Sequence, residues 1–378
     1  MSGPRYPGFT TLALHTAAGP HTQATAVATL EERSAALEGG VAGIAAASSQ
    51  AALHLALATL AGAGHHIVAA NNLGTGHAAL LAHGLARFGV AATFVDARDP
   101  DAWRAAIRPA TRLLVGAALG GDNLDVLDIP AVAAIAHGHD LPLLVDATLA
   151  TPWLLKPLDH GADLVVHGAG FLAGNAGAAG GLLVDGGTFD WHAAHLRTGR
   201  FGALCEPDPG CDGHVFAEES TVGAFALRAR HAALRDFGAT LGAHDAGVIL
   251  DGLETLDVRM DRHVASARRV AETLAAHPAV AGVAYPGLDS HPDHALARRL
   301  LPRGCGAVVP FTLQGGVAAA GRFLDGLKIF GRDVGRGGAR SYAAPLGAGA
   351  IRLTVGLEDA DDLLGDLDRA LKLAQKGA

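Results

Sequence analysis

The alternation of short apolar segments with amphipathic helical patterns constrains the fold of this chain more than any other feature. Seven apolar segments predict strands, at residues 42–47, 67–70, 92–95, 113–117, 141–145, 164–166 and 181–184. Helical patterns such as "QAALHLALATLAGAG" and "IPAVAAIAHGHD" lie between them. This alternation predicts an α/β fold whose mostly parallel sheet is covered by helices on both faces, with ligands at the carboxyl ends of the strands.

The rest of the chain predicts a second, smaller unit. The segment "GLETLDVRMDRHVASARRVAETLAAHP" has the pattern of a long helical region, and the strand candidates "AVVPFTLQ" and "AIRLTVGLE" follow it. A chain of 378 residues is also longer than one compact core usually holds. We therefore expect an N-terminal arm over residues 1–40, a large α/β domain over 41–249 and a small α+β C-terminal domain over 250–378.

Composition and charge exclude several classes of protein. Half of the residues are hydrophobic and 17% are charged, which is typical of a well-buried globular protein. The net charge of −8 gives no reason to expect nucleic acid or an anionic membrane as a partner. The first twenty residues lack the apolar core of a signal peptide, and no apolar run is long enough for a transmembrane helix. The few cysteines fit a reducing compartment, so we expect a cytoplasmic protein.

Cysteine and histidine spacings do not predict a metal site. The segment "EPDPG" separates Cys205 from Cys211 and gives no standard zinc spacing. No carboxylate or cysteine is spaced to complete a site with the histidine pairs, which are His65–His66, His137–His139 and His291–His294. We therefore expect ordinary thiols and histidines at these positions.

Polar residues stand at the ends of two predicted strands. Ser48, Ser49 and Gln50 lead from the first strand into a helix, whose free amides would hold a phosphate or whose serine would simply cap the helix. Asp146 ends a buried strand, where it would face a protonated ring nitrogen, bind a metal or cap the next segment. Together with the glycine-rich loop after the next strand, these features outline a pyridoxal phosphate pocket, in which an aspartate keeps the ring nitrogen protonated.

The chain resembles the Cys/Met-metabolism family of pyridoxal-phosphate enzymes over nearly its whole length, and within it the O-acetylhomoserine sulfhydrylases. The segments that carry the resemblance include "GFTTLALHT", "LEERSAALEGG", "LPLLVDATLATPWLLKPLDHGADLVVHG", "EPDPGCDGHVF", "ALRDFGATLGAHDAGVILDGLETLDVRMDRHV" and "IRLTVGLEDADDLL". The resemblance implies an aspartate-aminotransferase-type fold (fold type I). It also implies a cofactor-binding role for Asp146, Thr148, Ser49 and Gln50, and makes Arg352 the candidate ligand of a substrate's α-carboxylate.

The loop after "VVH" departs from the family pattern. In the family it reads Ser-Ala-Thr-Lys, and the lysine forms the Schiff base with the cofactor. The same positions here are Gly168, Ala169, Gly170 and Phe171, so a phenylalanine stands where the lysine is expected. The chain has only four lysines, which are Lys156, Lys328, Lys372 and Lys376. None of these lysines stands in the loop directly after the strand at residues 164–166, so no catalytic residue is assigned.

Further departures surround the same pocket. The family tyrosine that stacks on the cofactor ring corresponds to Gly74, and the family "Gly-Asn-Pro" to Gly120-Gly121-Asp122. The family's Tyr and Arg that reach the phosphate of the neighbouring subunit fall in a segment that is deleted from "HTAAGPHTQATAVATLEER". The substrate loop is shortened to "GRDVGRGGARSYAAPLGAGA".

These losses lead to three alternative functions. The first is a degenerate homologue that is unable to form a Schiff base with pyridoxal phosphate and acts as a non-catalytic or scaffold subunit; for it no cofactor is expected, since binding of pyridoxal phosphate would be weak or absent. It would form a homo-oligomer, either a dimer or a tetramer as in the family, or work beside an active relative. The second is an enzyme with a repurposed, lysine-free pocket for a small anionic, amino-acid-like substrate, held by Arg332, Arg336, Arg340 and Arg352. The third is a sulfhydrylase or lyase that uses pyridoxal phosphate without a covalent link.

Overall fold

A computed structural model of the chain describes residues 8–17, 25–175, 177–332 and 337–375. Its strands are β1 Ala42–Ala46, β2 His66–Ala70, β3 Ala91–Val95, β4 Thr111–Ala117, β5 Leu119–Gly120, β6 Asp125–Val126, β7 Leu143–Asp146, β8 Leu164–Gly168, β9 Gly181–Asp185, β10 Val280–Val283, β11 Val308–Leu313, β12 Gly331–Arg332, β13 Tyr342–Gly347 and β14 Ala350–Thr354. Its α-helices are α1 Phe9–His15, α2 Ala26–Glu38, α3 Ser49–Leu60, α4 Thr75–Ala79, α5 Pro100–Ala106, α6 Ile129–His137, α7 Thr151–Leu154, α8 Ala169–Ala173, α9 Trp191–Thr198, α10 Gly202–Cys205, α11 Phe216–Glu219, α12 Ala224–Arg228, α13 Arg235–Phe237, α14 Ala243–Leu253, α15 Leu256–Ala276, α16 His294–Leu300, α17 Gly316–Gly326 and α18 Ala360–Gln375.

A seven-stranded sheet forms the centre of the larger part of the molecule. Its strand order is β1-β9-β8-β7-β4-β2-β3, and β9 alone runs antiparallel to both of its neighbours. Strands β2, β7, β8 and β9 are buried along their whole length, as expected for strands covered on both faces. The predicted mostly parallel sheet of an α/β fold is thus confirmed, and all seven predicted strands are present.

The start of β7 shows where the sequence pattern was imprecise. The apolar segment predicts a strand from residue 141, whereas β7 begins at Leu143. Pro142 has no N–H to donate to a neighbouring strand, although its carbonyl accepts a hydrogen bond from Leu114 N at 3.0 Å. Because β7 then continues to Asp146, the polar end of the strand is part of the sheet.

A second sheet of five strands forms the smaller C-terminal part. Its order is β10-β11-β14-β13-β12, and only the β12–β13 pair is parallel. The predicted long helical region is α15, and the two predicted strand segments correspond to β11 and β14. A small C-terminal sheet domain is thus confirmed, whereas the boundaries at residues 41 and 250 stay predictions.

Helix α3 connects the apolar core with the carboxyl edge of the large sheet. Seven of its residues are buried, because the helix is apolar on nearly every side and packs on β8 and β9. Ser48 precedes it in an extended conformation, and the Ser48 hydroxyl accepts a hydrogen bond from Ala51 N at 3.1 Å. This cap fixes the start of α3, and therefore Ser49 and Gln50, beside the end of β1.

Within the described ranges, no helix is long and apolar enough to cross a membrane.

Candidate functional site

The candidate site lies where four strands of the large sheet end at the same edge. β1 is followed by Ser49 and Gln50, β2 by the turn that carries His77, β7 ends at Asp146 and β8 ends at Gly168. These strands all run in one direction. β9 lies between β1 and β8 and is antiparallel to both, so β1 and β8 are parallel to each other. The parallel topology therefore brings together polar groups that lie far apart in the sequence.

The Asp146 carboxylate is tied to its own loop and to the neighbouring strand. Its Oδ1 accepts hydrogen bonds from Thr148 N at 2.9 Å and from Thr148 Oγ1 at 2.5 Å. The Thr148 hydroxyl in turn accepts a hydrogen bond from Gly168 N at 2.9 Å. Asp146 therefore caps the following turn with one oxygen and keeps the other turned to the site. The other two of its three sequence interpretations, a contact with a ring nitrogen and a metal ligand, stay predictions.

His77 takes that second oxygen. Its Nδ1 lies 2.9 Å from Asp146 Oδ2, and the two residues are only 7% and 8% exposed. Burial alone would lower the pKa of His77, but the Asp146 carboxylate outweighs it and raises this pKa above its usual value. Burial would raise the pKa of Asp146, but His77 and Thr148 hold it below its usual range. Both shifts favour the charged forms, an imidazolium beside a carboxylate, in this buried contact.

Sequence reasoning missed His77, although a signal was present. His77 follows β2 in the string "NNLGTGHAAL", which is a third strand-to-helix junction at the same edge of the sheet. The junctions after β1 and β7 carry serines and an aspartate, which are more conspicuous in the sequence than a single histidine. The rule that ligands bind at the carboxyl ends of parallel strands applies equally to the end of β2.

Ser49 and Gln50 lie beside this pair but do not themselves cap helix α3. Ser48 is the capping residue. The Gln50 side chain donates from Nε2 to the carbonyl of Gly76 at 2.6 Å, which holds the turn carrying His77 against the start of α3. All four predicted cofactor-binding residues, Ser49, Gln50, Asp146 and Thr148, therefore lie at one edge of the sheet, but their role in binding is not tested.

The glycines of the pocket differ in how much space they leave. A Cβ atom added at Gly74 would meet no atom within 4 Å, so there is open space beside this residue. A Cβ atom at Gly168 would lie 3.2 Å from both Ser49 Cβ and Thr148 Cγ2. Gly121 has a φ of +70°, a backbone conformation that favours glycine. Of these glycines, Gly74 is the one that leaves open space.

Phe171 packs toward the smaller part of the molecule. It lies in α8, is 3% exposed, and its ring centroid is 5.5 Å from that of His263 in an edge-to-face arrangement. The backbone of Gly337 covers the ring, since a Cβ atom there would lie 2.5 Å from it. Arg259 donates to the carbonyls of Phe171 and Leu172 at 2.8 and 3.0 Å. Phe171 is therefore a packing residue between α8, α15 and the loop at Gly337.

None of the described lysines lies in the segment that directly follows β8. Lys156 precedes the 3₁₀ turn Pro157–His160, and the backbone of Lys328 donates to Asp366 in the smaller part of the molecule. Lys372 pairs with Asp368 on α18. Lys376 lies outside the described residues. No lysine stands between residues 157 and 327 of the sequence.

Arg352 is half-buried on β14, where it pairs with Pro310 and Ala344 of the neighbouring strands. Burial lowers the pKa of its guanidinium, and the carboxylate of Asp122 acts in the opposite direction. Asp122 belongs to the loop between β5 and β6, so this loop lies close enough to Arg352 to affect its pKa. Of the other arginines proposed to bind an anion, Arg332 pairs with Asp325, Arg340 is exposed, and Arg336 lies outside the described residues.

Two parts of the sequence comparison also lie partly outside the described residues. Residues 18–24 belong to the shortened N-terminal segment, and residues 333–336 belong to the shortened substrate loop. The predicted deletion and the predicted shortening therefore remain sequence-based.

Among the described residues, no group of three or more histidine, cysteine, aspartate or glutamate side chains is arranged to hold a metal ion.

Comparisons with known proteins agree on one family. The model of the family described as "Cys/Met metabolism PLP-dependent enzyme" matches residues 21–346. An O-acetyl-L-homoserine sulfhydrylase of Leptospira meyeri is 41% identical over 371 residues, covering 91% of this chain and 83% of the relative. An L-methionine gamma-lyase of Pseudomonas deceptionensis is 38% identical over 367 residues, covering 92% and 83%.

Solved structures show the same fold. A Campylobacter jejuni protein assigned as an O-acetylhomoserine (thiol)-lyase has a TM-score of 0.92 and 30% identity, covering 97% of this chain and all of the other. That structure contains N'-pyridoxyl-lysine-5'-monophosphate. The O-acetylhomoserine sulfhydrylase of Wolinella succinogenes has a TM-score of 0.83 and 29% identity, covering 96% and 100%. The predicted fold type I architecture is thereby confirmed.

The prediction that no cofactor is expected is wrong. The matching family is dependent on pyridoxal phosphate, and the Campylobacter jejuni structure contains the group on a lysine. The prediction gave too much weight to the missing lysine and too little to Asp146. Asp146 fits the group, since a buried carboxylate with a lowered pKa favours a protonated ring nitrogen nearby. What the described residues lack is a lysine after β8 for a covalent link.

Proposed function

We propose that this chain, which belongs to the Cys/Met metabolism family of PLP-dependent enzymes, is a non-catalytic member that holds pyridoxal phosphate without a covalent link. One observation carries the proposal. The segment after β8 has no lysine, and Phe171, which corresponds to the family lysine, is buried between His263 and Gly337. The other residues at this edge of the sheet can bind and orient a ligand.

Each of the predicted binding residues has a role in this proposal. Pyridoxal phosphate, when bound, supplies an aromatic ring that withdraws electrons from an attached substrate. Asp146 would hold the ring nitrogen, and Thr148 orients Asp146 through two hydrogen bonds. The amides at the start of α3, at Ser49 and Gln50, are suited to a phosphate, because a helix N-terminus carries partial positive charge. Arg352 would face a carboxylate.

The absence of a lysine removes the group that would move protons at the substrate carbon. A positioned general base typically contributes a factor of about 10² to 10⁴ to a rate. The chain is therefore proposed to have lost the family's turnover while it keeps the family's fold.

The proposal includes assembly in the cytoplasm. The segments "LEERSAALEGG" and "EPDPGCDGHVF" still resemble the family, in which subunits form dimers and dimers of dimers around shared sites. These segments resemble the family although the pocket differs from it, which supports a function for the folded oligomer itself. We propose a homo-oligomer, a dimer or a tetramer, or an assembly with an active relative.

A turnover assay tests the proposal. We expect the purified chain, saturated with pyridoxal phosphate, to give no product from O-acetylhomoserine and sulfide, while an active sulfhydrylase of the family assayed in parallel does. Light scattering on the same sample would report a mass at least twice the 38.2 kDa of one chain. Turnover approaching that of the active enzyme would refute the non-catalytic role, and a monomer would refute the assembly.

Arg352 supports a second candidate function. This arginine remains half-buried and near Asp122, and the open space at Gly74 lies at the same sheet edge. An amino-acid-like anion would suit such a pocket even without a lysine. Binding of L-homoserine derivatives that is lost in Arg352→Met, together with a product other than that of sulfhydrylation, would favour this candidate.

A further inference from the structure

The contact between His77 and Asp146 places an imidazole ring of the chain itself against the carboxylate that suits a cofactor ring. Oδ1 of Asp146 already accepts two hydrogen bonds from Thr148. Oδ2 is the remaining oxygen, and His77 Nδ1 lies 2.9 Å from it. A protonated imidazole and a protonated pyridine are both flat aromatic cations with an N–H donor in the ring plane. The two therefore require the same oxygen.

The turn that carries His77 is anchored on one side and open on the other. Gln50 holds the carbonyl of Gly76, the residue before His77. Gly74, at the beginning of the same turn, has no atom within 4 Å of a Cβ position. Thus the backbone near His77 is fixed to the start of α3, while open space lies beside Gly74 at the start of the turn.

Because the Asp146 carboxylate is buried, it needs a positively charged partner both with and without the cofactor. Asp146 is 8% exposed and carries a charge, and a buried charge without a partner is strongly unfavourable. In the absence of a ligand, His77 provides the compensating charge. When a ring nitrogen approaches Oδ2, the imidazole has to leave, because both donors would otherwise carry like charges at one oxygen.

We propose that His77 is an internal competitor of pyridoxal phosphate, and that its ring occupies the Asp146 oxygen until the ring nitrogen of the cofactor displaces it. The inference rests on the proposed noncovalent cofactor site. It goes further in assigning to His77 a role that sets how tightly the chain holds the group. Removal of the imidazole should therefore strengthen binding.

Binding of pyridoxamine 5'-phosphate tests this competition. This probe keeps the ring nitrogen and the phosphate but has no aldehyde, so it cannot bond to any lysine. Equilibrium dialysis would compare the wild type with His77→Ala, and His83→Ala provides the matched control. His83 is an exposed histidine of the π-helical turn Leu80–Gly84, which directly follows α4. We expect His77→Ala to bind the probe at least tenfold more tightly than the wild type, and His83→Ala to bind it equally.

Two further variants assign the effect to Asp146 and control for folding. In His77→Ala with Asp146→Asn, the gain in affinity should disappear, because the oxygen that holds the ring nitrogen is no longer charged. His77→Gln removes the charge but keeps a polar side chain, and should strengthen binding in the same direction if His77→Ala is poorly folded. Equal or weaker binding by the folded variants, or no measurable binding by any of them, would overturn the proposal.

An imidazole NMR signal provides a readout that does not depend on affinity alone. In the wild type, saturating probe should shift the His77 ring signals away from those of a carboxylate-bound imidazolium. Ring signals that do not change while the probe binds would also contradict displacement. Turnover by the chain, or pyridoxal phosphate bonded to a lysine, would refute the proposed function but would leave these results with the aldehyde-free probe interpretable.

Discussion

At the scale of single residues, the proposal depends on Phe171, which lies in the segment directly after β8. Its ring lies against His263, whose pKa is lowered by burial to about 4, so that His263 is a neutral neighbour at physiological pH. The Arg259 guanidinium donates to the Phe171 carbonyl. The buried ring of Phe171 thus has a neutral imidazole and a guanidinium cation as neighbours, and neither would compensate the charge of an ammonium group.

The substitution Phe171→Lys should therefore destabilise the chain and fail to restore sulfhydrylase activity. We expect a loss of about 3 kcal/mol in the free energy of unfolding, because the ring contacts disappear and an unpaired ammonium has to be buried or driven out. Urea denaturation measures the loss, and Phe171→Leu is the control, with a smaller effect. Sulfide-dependent turnover by Phe171→Lys would show that the other differences in the pocket matter less than proposed.

Asp185 is a buried acid whose protonation should make stability depend on pH. It ends β9 and accepts hydrogen bonds from Gly187 N at 3.0 Å and Ala226 N at 3.1 Å. Burial raises its pKa to about 6, although these two hydrogen bonds act in the opposite direction. The carboxylate of Asp163 lies close enough to contribute to the rise.

The sign of the pH effect follows from the raised pKa. The stability contributed by protonated Asp185 is fully present below the unfolded pKa of about 4 and is lost as the pH rises through about 6. Between pH 4 and pH 7 this one group should lower the free energy of unfolding by about 2–3 kcal/mol. Denaturation across this range should show the wild type losing more stability than Asp185→Asn, whereas the exposed Asp101→Asn should follow the wild type. Equal slopes for the wild type and Asp185→Asn would contradict the account.

At the scale of elements, a charged cluster connects the loop of Asp122 with the smaller part of the molecule. Arg98 donates to both oxygens of Asp293 at 2.8 Å, and its Nη2 lies 2.6 Å from Asp125 Oδ1. Asp293 also accepts a hydrogen bond from Val126 N at 2.9 Å. The short sheet of β5 and β6, and with it the loop that carries Asp122, is thereby held to the segment before α16.

Removal of Arg98 would leave two carboxylates in this cluster without their cation. Both Asp125 and Asp293 are largely buried. We expect Arg98→Ala to lower the free energy of unfolding by about 3 kcal/mol, as is typical when one partner of a buried ion pair is lost. Arg104→Ala, which removes an exposed pair with Asp101, should cost less than about 1 kcal/mol. Similar losses for the two variants in urea denaturation would show that the cluster is not a connecting element.

The elements were more predictable than their contacts. Apolar segments predicted β1 to β4 and β7 to β9 because buried parallel strands are nearly continuous apolar runs. Strands β12 and β13 were missed, since "GR" and "YAAPLG" are short or interrupted by proline and glycine. The ion pair of His77 with Asp146 and that of Arg98 with Asp293 join residues 69 and 195 positions apart, and no local pattern reports such a pairing.

At the scale of the whole molecule, two facts indicate different things about the cofactor. Family membership indicates that pyridoxal phosphate binds, whereas the lack of a lysine directly after β8 indicates that it is not bonded to the protein there. The fold matches solved relatives over nearly the entire chain, and a pyridoxal phosphate site is a property of that family. The four lysines of this chain, in contrast, lie outside the segment that follows β8. Sequence reasoning identified both facts but drew from them the wrong conclusion that no cofactor is expected. The proposed site at Asp146 and the absence of a lysine directly after β8 are compatible if the group is held without a bond to the protein, as we propose.

Borohydride reduction of the chain in the presence of pyridoxal phosphate tests this central claim most directly. Reduction fixes the cofactor to any lysine that has bonded to it, and mass spectrometry of the digested protein then locates the modified residue. An active sulfhydrylase of the family, treated in the same way, is the positive control. We predict stoichiometric modification of the control enzyme and no specifically modified lysine in this chain, even when dialysis shows that the cofactor is bound. A single lysine modified stoichiometrically in this chain would contradict the account.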